Sequence, residues 1–314
     1  MPELPEVETM RRGIAGLCGM RIAAARFPQG TCRPLAMSPA PAEMAERLER
    51  QRIVSVSRFG KRVAIEVGSE GRAPHWLVIE PRMTGLLLVA EPPTPHHVRM
   101  ELDVVPPGVR RLPIQRLLFW DQRGLGTIRL LDAQGLDRAC GAAKLGPDGL
   151  VVTGNDLASR LGESQRGVKV ALLDQKAVAG IGNIYAAEIL HRAAIDPRTP
   201  CQALAAEAWE TVARAAREIL ASAVVHEGSS IGDELYRTAD NRKGGFQKLH
   251  RVYGLGGTPC QTCGATIERI VQAQRSTFFC PVCQPRLRGG KRRGRGSQPR
   301  IAPLPKLVRR GAKA

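Results

Sequence analysis

Apolar residues recur at helical spacing near the start of the chain. Val7, Met10, Ile14 and Leu17 fall on one face at intervals of three and four. Pro5 suits the first turn of such a helix and Gly19 its end, so a helix is predicted within residues 2–19. From about residue 51 the period shortens to two, as Val63, Ile65 and Val67 alternate with Ala64 and Glu66. Further short strand-like segments cover residues 76–79, 86–89, 98–104, 116–120 and 127–131, with proline-rich loops at 92–95 and 105–113. Many short strands separated by turn residues predict a β-sandwich or barrel.

Residues 132–156 are rich in Gly, Asp and Ala without a clear period and are expected to form a linker. From 157 to 226 the chain reads as helical, interrupted by Gly180 and Gly182, and a glycine- and charge-rich stretch runs from 227 to 247. The expected units are therefore 1–131, a linker at 132–156, a helical unit at 157–247, a cysteine module at 248–287 and a disordered basic tail at 288–314. The run Leu86-Leu87-Leu88-Val89-Ala90 is far short of the roughly 20 apolar residues that span a bilayer. The acidic, proline-bearing start is unlike a signal peptide, so a cytoplasmic protein is expected.

Charge narrows the partner. The net charge is +18, and ten of those positive charges lie in residues 288–314, which hold no acid. The remaining body still carries +8, which points to a polyanion. Charge alone fits a ribosomal or merely basic soluble protein equally well. Only 4% of residues are aromatic, which argues against a binder that stacks single-stranded bases.

Four of the eight cysteines, Cys18, Cys32, Cys140 and Cys201, are scattered and read as ordinary thiols. The other four, Cys260, Cys263, Cys280 and Cys283, have the Cys-x2-Cys, x16, Cys-x2-Cys spacing of a two-knuckle zinc site. Four thiolates leave no open coordination position, so one structural Zn2+ is expected. A hairpin between the knuckles would present Arg275 to a phosphate, although alone it reads as a solvated arginine.

Removal of Met1 would expose Pro2 as a free secondary amine. An α-amino group titrates near ~7.7–8.0, so a usable fraction is neutral at physiological pH. The positive end of the following helix favours the neutral amine, whereas Glu3 and Glu6 favour the ammonium and offer proton relays. Attack of this amine on a sugar C1′ would give an iminium, a covalent strategy. Without further context, Pro2, Glu3 and Glu6 also read as an ordinary helix start.

Three separated segments change that balance. Pro2-Glu3-Leu4-Pro5-Glu6-Val7-Glu8-Thr9 resembles the amino terminus of the formamidopyrimidine-DNA glycosylase family of bifunctional 8-oxoguanine repair enzymes. The run from Asp174 to Glu188 resembles that family's helix–two-turn–helix segment, and Gln274-Arg275-Ser276-Thr277-Phe278-Phe279-Cys280 its zinc-finger hairpin. The resemblance covers about residues 1–287. It implies an α+β multidomain fold: an N-terminal β-sandwich with flanking helices, a helix–two-turn–helix domain and a C-terminal zinc-finger β-hairpin.

The resemblance also implies roles. Pro2 would be the nucleophile, Glu3 the general acid/base that opens the deoxyribose ring, and Glu6 a residue that orders the pocket. Lys61, Lys169, Asn183 and Arg275 match positions that hold phosphates around the lesion. The free N–H groups of a helix opened by Asn183 would favour such a phosphate, although Asn183 also reads as a plain N-cap. A base must leave the duplex to be reached. Met83 and Arg123 match void-filling residues, and Leu125 stands where the family usually has an aromatic wedge. His97 is placed with the DNA-contacting set. The segment 228–246 departs from the family's usual wording but is polar and glycine-bearing, as a mobile loop over the extruded base would be. The implied partner is double-stranded DNA with oxidised bases or abasic sites, bound by a monomer. The competing expectations are an endonuclease VIII-like paralogue acting on oxidised pyrimidines, a silent zinc-containing DNA binder, and a nucleic-acid chaperone.

Overall fold

The structure is a computed structural model, and it describes residues 2–28, 33–69, 71, 73–108, 114–232 and 235–286. The expected tail and Cys32 lie outside the described residues.

Helix α1 spans Leu4–Ile14 and continues as a 3-10 turn through Leu17, before Gly19 takes a positive φ of 88°. Its apolar stripe is buried, but it divides between two cores. Val7, Met10 and Ile14 join the sandwich core, whereas Leu4 joins the helical one. The helix therefore bridges two units with its amino end at their junction.

Among the described residues nine strands follow: β1 (Arg21–Arg26), β2 (Ala36–Ser38), β3 (Arg52–Phe59), β4 (Arg62–Gly68), β5 (His75–Glu80), β6 (Gly85–Leu88), β7 (Val98–Val105), β8 (Gln115–Asp121) and β9 (Thr127–Leu131). Their order is β2-β9-β5-β4-β3-β1-β7-β8-β6, antiparallel except for β2 against β9. Among the described residues a single register pair, Arg21 with Arg52, joins β1 to β3. The sheet folds there into two layers. Ile53, Val63, Ile65, Leu77 and Ile79 of one layer meet Ile22, Leu102, Val104, Leu117 and Phe119 of the other. Each such buried side chain contributes on the order of 1.5–3 kcal/mol of transfer free energy. This is the expected sandwich. Strands β1 and β2 and the short helix α2 (Pro41–Leu48) had no clear periodic signal.

The stretch 132–156 is not a bare linker. Helix α3 (Ala133–Cys140) is capped by Asp132, whose Oδ1 accepts from Gly135 N at 2.7 Å. Its two turns bury Ala139 and Cys140 against Ala64, Val78 and Ala179, a face too short and too small-sided to show a period. Helix α4 (Gly154–Leu161) also begins inside the stretch, capped by reciprocal bonds between Thr153 and Asp156. Beyond it the helical reading resolves into α5 (Val168–Ala171), α6 (Asn183–Arg192) and the 20-residue α7 (Ala206–Val225).

The cysteine module forms the hairpin β10 (Glu268–Gln272) and β11 (Arg275–Phe279). Its turn residues Ala273 and Gln274 both take positive φ, 46° and 60°, as a tight two-residue hairpin turn requires. The buried Glu188 carboxylate of α6 anchors the module by accepting N–H bonds from Arg251, Val252 and Tyr253 at 2.9, 3.0 and 2.8 Å.

Candidate active site at the amino terminus

The amino end of α1 is fixed by backbone contact with the loop ahead of α6. Leu4 N donates to Gly180 O at 3.0 Å, while Gly180 N donates to Gln175 Oε1 at 2.9 Å. Gly180 has φ +99°, and a Cβ there would lie 2.5 Å from the Leu4 side chain. At Gly182 a Cβ would lie 2.3–2.7 Å from the Glu3 carboxylate. The two glycines therefore admit the protein's own amino terminus.

Glu3, 1% exposed, sits at the start of α6. Its Oε1 accepts from Ile184 N at 2.9 Å and its Oε2 from Tyr185 N at 3.4 Å. This corrects the expectation that those helix-end N–H groups are free for phosphate; a side-chain carboxylate takes the same electrostatic role. Asn183 is the first residue of α6, behind the N-cap Gly182, so it is not the N-cap. Its Oδ1 accepts from Lys169 Nζ at 2.5 Å, and its Nδ2 donates to Ser276 O of the hairpin at 3.0 Å. Lys169 and Asn183 thus meet each other and the zinc module.

Glu6 is also buried. Its Oε2 accepts from Glu3 N at 2.8 Å, and its Oε1 accepts from Tyr185 OH at 2.6 Å and Ser229 N at 2.8 Å. Burial pushes the Glu6 carboxyl up, and the nearby Glu3 charge adds to it; the hydrogen bonds from Tyr185, Ser229 and Glu3 oppose that rise. Ser229 Oγ lies 3.1 Å from His250 Nε2, so the network reaches the first residues of the zinc module. Burial also lowers the His250 imidazole, which favours its neutral form.

Pro2 is buried and lines a cavity of about 220 Å³ with Glu6, Met83, Thr84, Ser229 and Tyr236. Lys61 follows Gly60 in the two-residue turn between β3 and β4 and is partly buried. Burial lowers its ammonium, Glu3 raises it, and Arg275 across the site lowers it. Lys169 is buried and lowered to about 8, first by desolvation and then by Arg275. The exposed Arg275 therefore shares one electrostatic field with both lysines, around the acids of the amino terminus.

Met83 is 38% exposed at the mouth of the cavity. Its neighbour Thr84 is tied to the Arg123 loop: Thr84 Oγ1 bonds Asp121 Oδ1 and accepts from Arg123 N at 3.0 Å, and Asp121 Oδ2 accepts from Gly126 N at 2.8 Å. The structure thus brings Met83, Arg123 and Leu125 onto adjoining loops. His97 stands apart from the cavity lining, edge-on to Trp120 with ring centroids 5.5 Å apart.

The four clustered thiols have sulfur atoms all within 4.8 Å of one another. Cys260 to Cys283 is 3.9 Å and Cys263 to Cys280 is 3.4 Å, near the ~3.8 Å edge of a tetrahedron with Zn–S of ~2.3 Å. The donor set fits one structural zinc, as expected. Of the other cysteines, Cys18 is exposed and Cys140 and Cys201 are buried free thiols.

Tyr185, Ser229, His250 and Glu188 went unnoticed as contributors to the site. Tyr185 had a local signal, as the one phenol in an otherwise apolar stretch of α6. The others are joined to the site only by long-range folding.

Residues 1–128 match the formamidopyrimidine-DNA glycosylase N-terminal domain, 145–234 the family's H2TH domain, and 257–286 a zinc finger found in FPG and IleRS. A formamidopyrimidine-DNA glycosylase of Chloroflexus aurantiacus is 42% identical over 90% of this chain and 98% of its own. One from Thermomicrobium roseum is 39% identical over 91% and 99%. The crystal structure of MutM (Fpg) from Thermus thermophilus superposes with a TM-score of 0.76 at 36% identity, covering 90% of this chain and 98% of that one. Lactococcus lactis Fpg in complex with abasic-site DNA gives 0.77 at 30% identity, covering 90% and 100%. Fold and site define a DNA glycosylase of base excision repair with a zinc-bearing hairpin. The chain belongs to the formamidopyrimidine-DNA glycosylase family, whose members join glycosylase to AP-lyase activity.

Proposed function

We propose that this protein removes oxidised purines, 8-oxoguanine and formamidopyrimidines, from duplex DNA and then cleaves the strand, with Pro2 as the nucleophile. The observation that carries the assignment is the meeting of Pro2 and Glu6 at one cavity, with Glu3 bonded to Glu6 beside it, Met83 at its mouth, and Lys61, Lys169 and Arg275 sharing the field of Glu3. With Met1 removed, the neutral Pro2 amine attacks C1′ of the extruded nucleotide as the C1′–N bond to the damaged base breaks. The Glu3 carboxylate takes the amine proton and passes it to O4′ as the deoxyribose ring opens, which leaves the C1′ iminium, while the departing base anion takes a proton from water. β-Elimination and then δ-elimination release the phosphates on either side. Glu6, held by Tyr185 and Ser229, shapes the pocket and keeps Glu3 oriented. Met83, Arg123 and Leu125 fill the space the base vacates, an apolar leucine wedging between steps where an aromatic ring would stack. Lys61, Lys169, Asn183, Arg275 and His97 hold the DNA backbone.

On this reading the working units are 1–131, 157–247 and 248–287, and a monomer acts in the bacterial cytoplasm on the nucleoid. No helix among the described residues is long and apolar enough to cross a membrane. The test compares excision from 8-oxoguanine:C and thymine-glycol duplexes. Faster release of 8-oxoguanine supports the reading; faster release of thymine glycol assigns the protein to pyrimidine repair instead.

A further inference from the structure

A second concave site lies at the opposite end of α1 from Pro2. The helix and its 3-10 extension run from Leu4 to Leu17, roughly 20 Å at ~1.5 Å per residue. Beyond them Gly19, Arg21, Arg50, Arg52, Val54, Pro74 and Pro107 line a cleft of about 820 Å³. Arg21 and Arg52 are register partners on β1 and β3, where the sheet folds between its layers. All three arginines are exposed, and none has a carboxylate or hydrogen-bond partner for its guanidinium among the described residues. On the same strand Arg26 is neutralised by Glu101 and Asp103, at 3.3 and 2.7 Å. Arg50 holds φ at 67°, a left-handed conformation that L side chains rarely adopt.

The frame under these side chains is rigid. Gly19 N donates to Ile53 O at 2.8 Å, Ile53 N to Met20 O at 2.8 Å, Ile22 N to Gln51 O at 2.8 Å and Arg50 N to Ile22 O at 2.9 Å. The walls include apolar surface, with Val54 half exposed. On the α2 side the cleft adjoins a surface carrying Glu46, Glu49 and the Glu43–Arg47 ion pair, which shares Arg50 and Ser69 with it. A continuous phosphate backbone laid across the cleft would meet those carboxylates. A short segment bearing a few acidic and apolar side chains would not.

We propose that this cleft docks an acidic, partly apolar peptide segment of a partner protein, separately from the DNA-binding face. Arginine forks would pair with its carboxylates, and Val54, Pro74 and Pro107 would take its apolar side chains.

The probe is a fluorescein-labelled eight-residue peptide alternating aspartate with leucine, with the lysine–leucine counterpart as control. Anisotropy is followed with the full-length protein, the R21Q/R52Q variant and, as a second variant, R21E/R52E. The proposal predicts saturable binding of the acidic peptide only, weakened roughly tenfold in R21Q/R52Q and abolished in R21E/R52E. Cleavage of an abasic duplex stays unchanged in both variants. Absence of saturable binding to the wild type, or binding that survives both variants, overturns it. A parallel loss of undamaged-duplex affinity would reassign the cleft to DNA and equally overturn the peptide proposal.

Discussion

The amino-terminal junction and the zinc module solve the same problem, holding a few polar groups in fixed positions, by opposite means. In the module the constraint is local. Four sulfurs from two tight turns close on one metal, and few apolar residues are needed: the core there is Ala187, Val252 and Ile267 beside the cysteines. At the junction nothing local suffices. Glu3 is held by N–H groups of residues 184 and 185, Glu6 by Tyr185 and Ser229, and Leu4 by Gly180. Each bond crosses more than 170 residues of sequence, so the site exists only once both units have folded. A metal-closed module can be lost as a unit, whereas the junction can be lost piecemeal through any neighbour that holds it.

The largest effect should come from the module. Cys280→Ser, or chelation of the zinc, is expected to unfold residues 248–286 and abolish strand cleavage. Structural zinc in small modules supplies on the order of 10 kcal/mol of folding free energy. The sandwich should survive, so calorimetry would show its transition retained. Simultaneous loss of both transitions would show that the two regions are not independent.

A smaller but more specific effect is expected at Gly182. In Gly182→Ala the new Cβ would overlap the Glu3 carboxylate and displace it from Ile184 and Tyr185. Turnover on abasic duplex should fall by roughly 10²-fold or more, the usual scale for losing a positioned acid/base group. Gly16→Ala, where nothing lies within 4 Å of the added carbon, should stay within about 0.5 kcal/mol of wild-type stability. Equal behaviour of the two variants would remove the junction's special standing.

These two sites also show what the sequence could and could not carry. The zinc ligands were legible from spacing alone, and the sandwich from the alternation in β4 and the short strand-like runs, set off by turn residues, of β5 to β9. The positions of Pro2, Glu3 and Arg275 drew meaning from resemblance, and the fold brings them around one site. The partners of the acids were not legible, because Tyr185, Ser229 and His250 have no fixed spacing from Glu6. Gly180 and Gly182 read as interruptions of a helical stretch, whereas in the fold they make room for Leu4 and Glu3. Helix α3 escaped because two turns with a face of small residues give no period.

Lys169 offers a moderate test. With its ammonium lowered to about 8, part of its charge is lost as pH rises from 7 to 9. Duplex binding should weaken by up to about tenfold over that range, and Lys169→Met should remove the dependence and reduce the salt slope by roughly one. A wild-type pH dependence that persists in the variant would place the titrating group elsewhere.

The smallest effect concerns Glu8. Burial alone would raise its carboxyl, but hydrogen bonds from Arg11, Arg12 and Arg58 and the charge of Arg11 outweigh it and hold the group at about 2. The folded state therefore favours the charged form. The stability this contributes is present above the ordinary value of 4.5 and is lost as pH falls toward about 2. Glu8→Gln should flatten that acid limb in denaturant titrations at pH 2.5 to 5. An unchanged limb would mean that groups other than Glu8 set it.

The most direct test of the central claim is borohydride trapping on an 8-oxoguanine:C duplex, using wild type, a Pro2→Gly variant and a form that retains Met1. The account predicts a covalent protein–DNA adduct in the wild type, a diminished one in the variant, and none where Met1 keeps the Pro2 nitrogen in an amide. An adduct undiminished with Met1 in place would contradict Pro2 as the nucleophile.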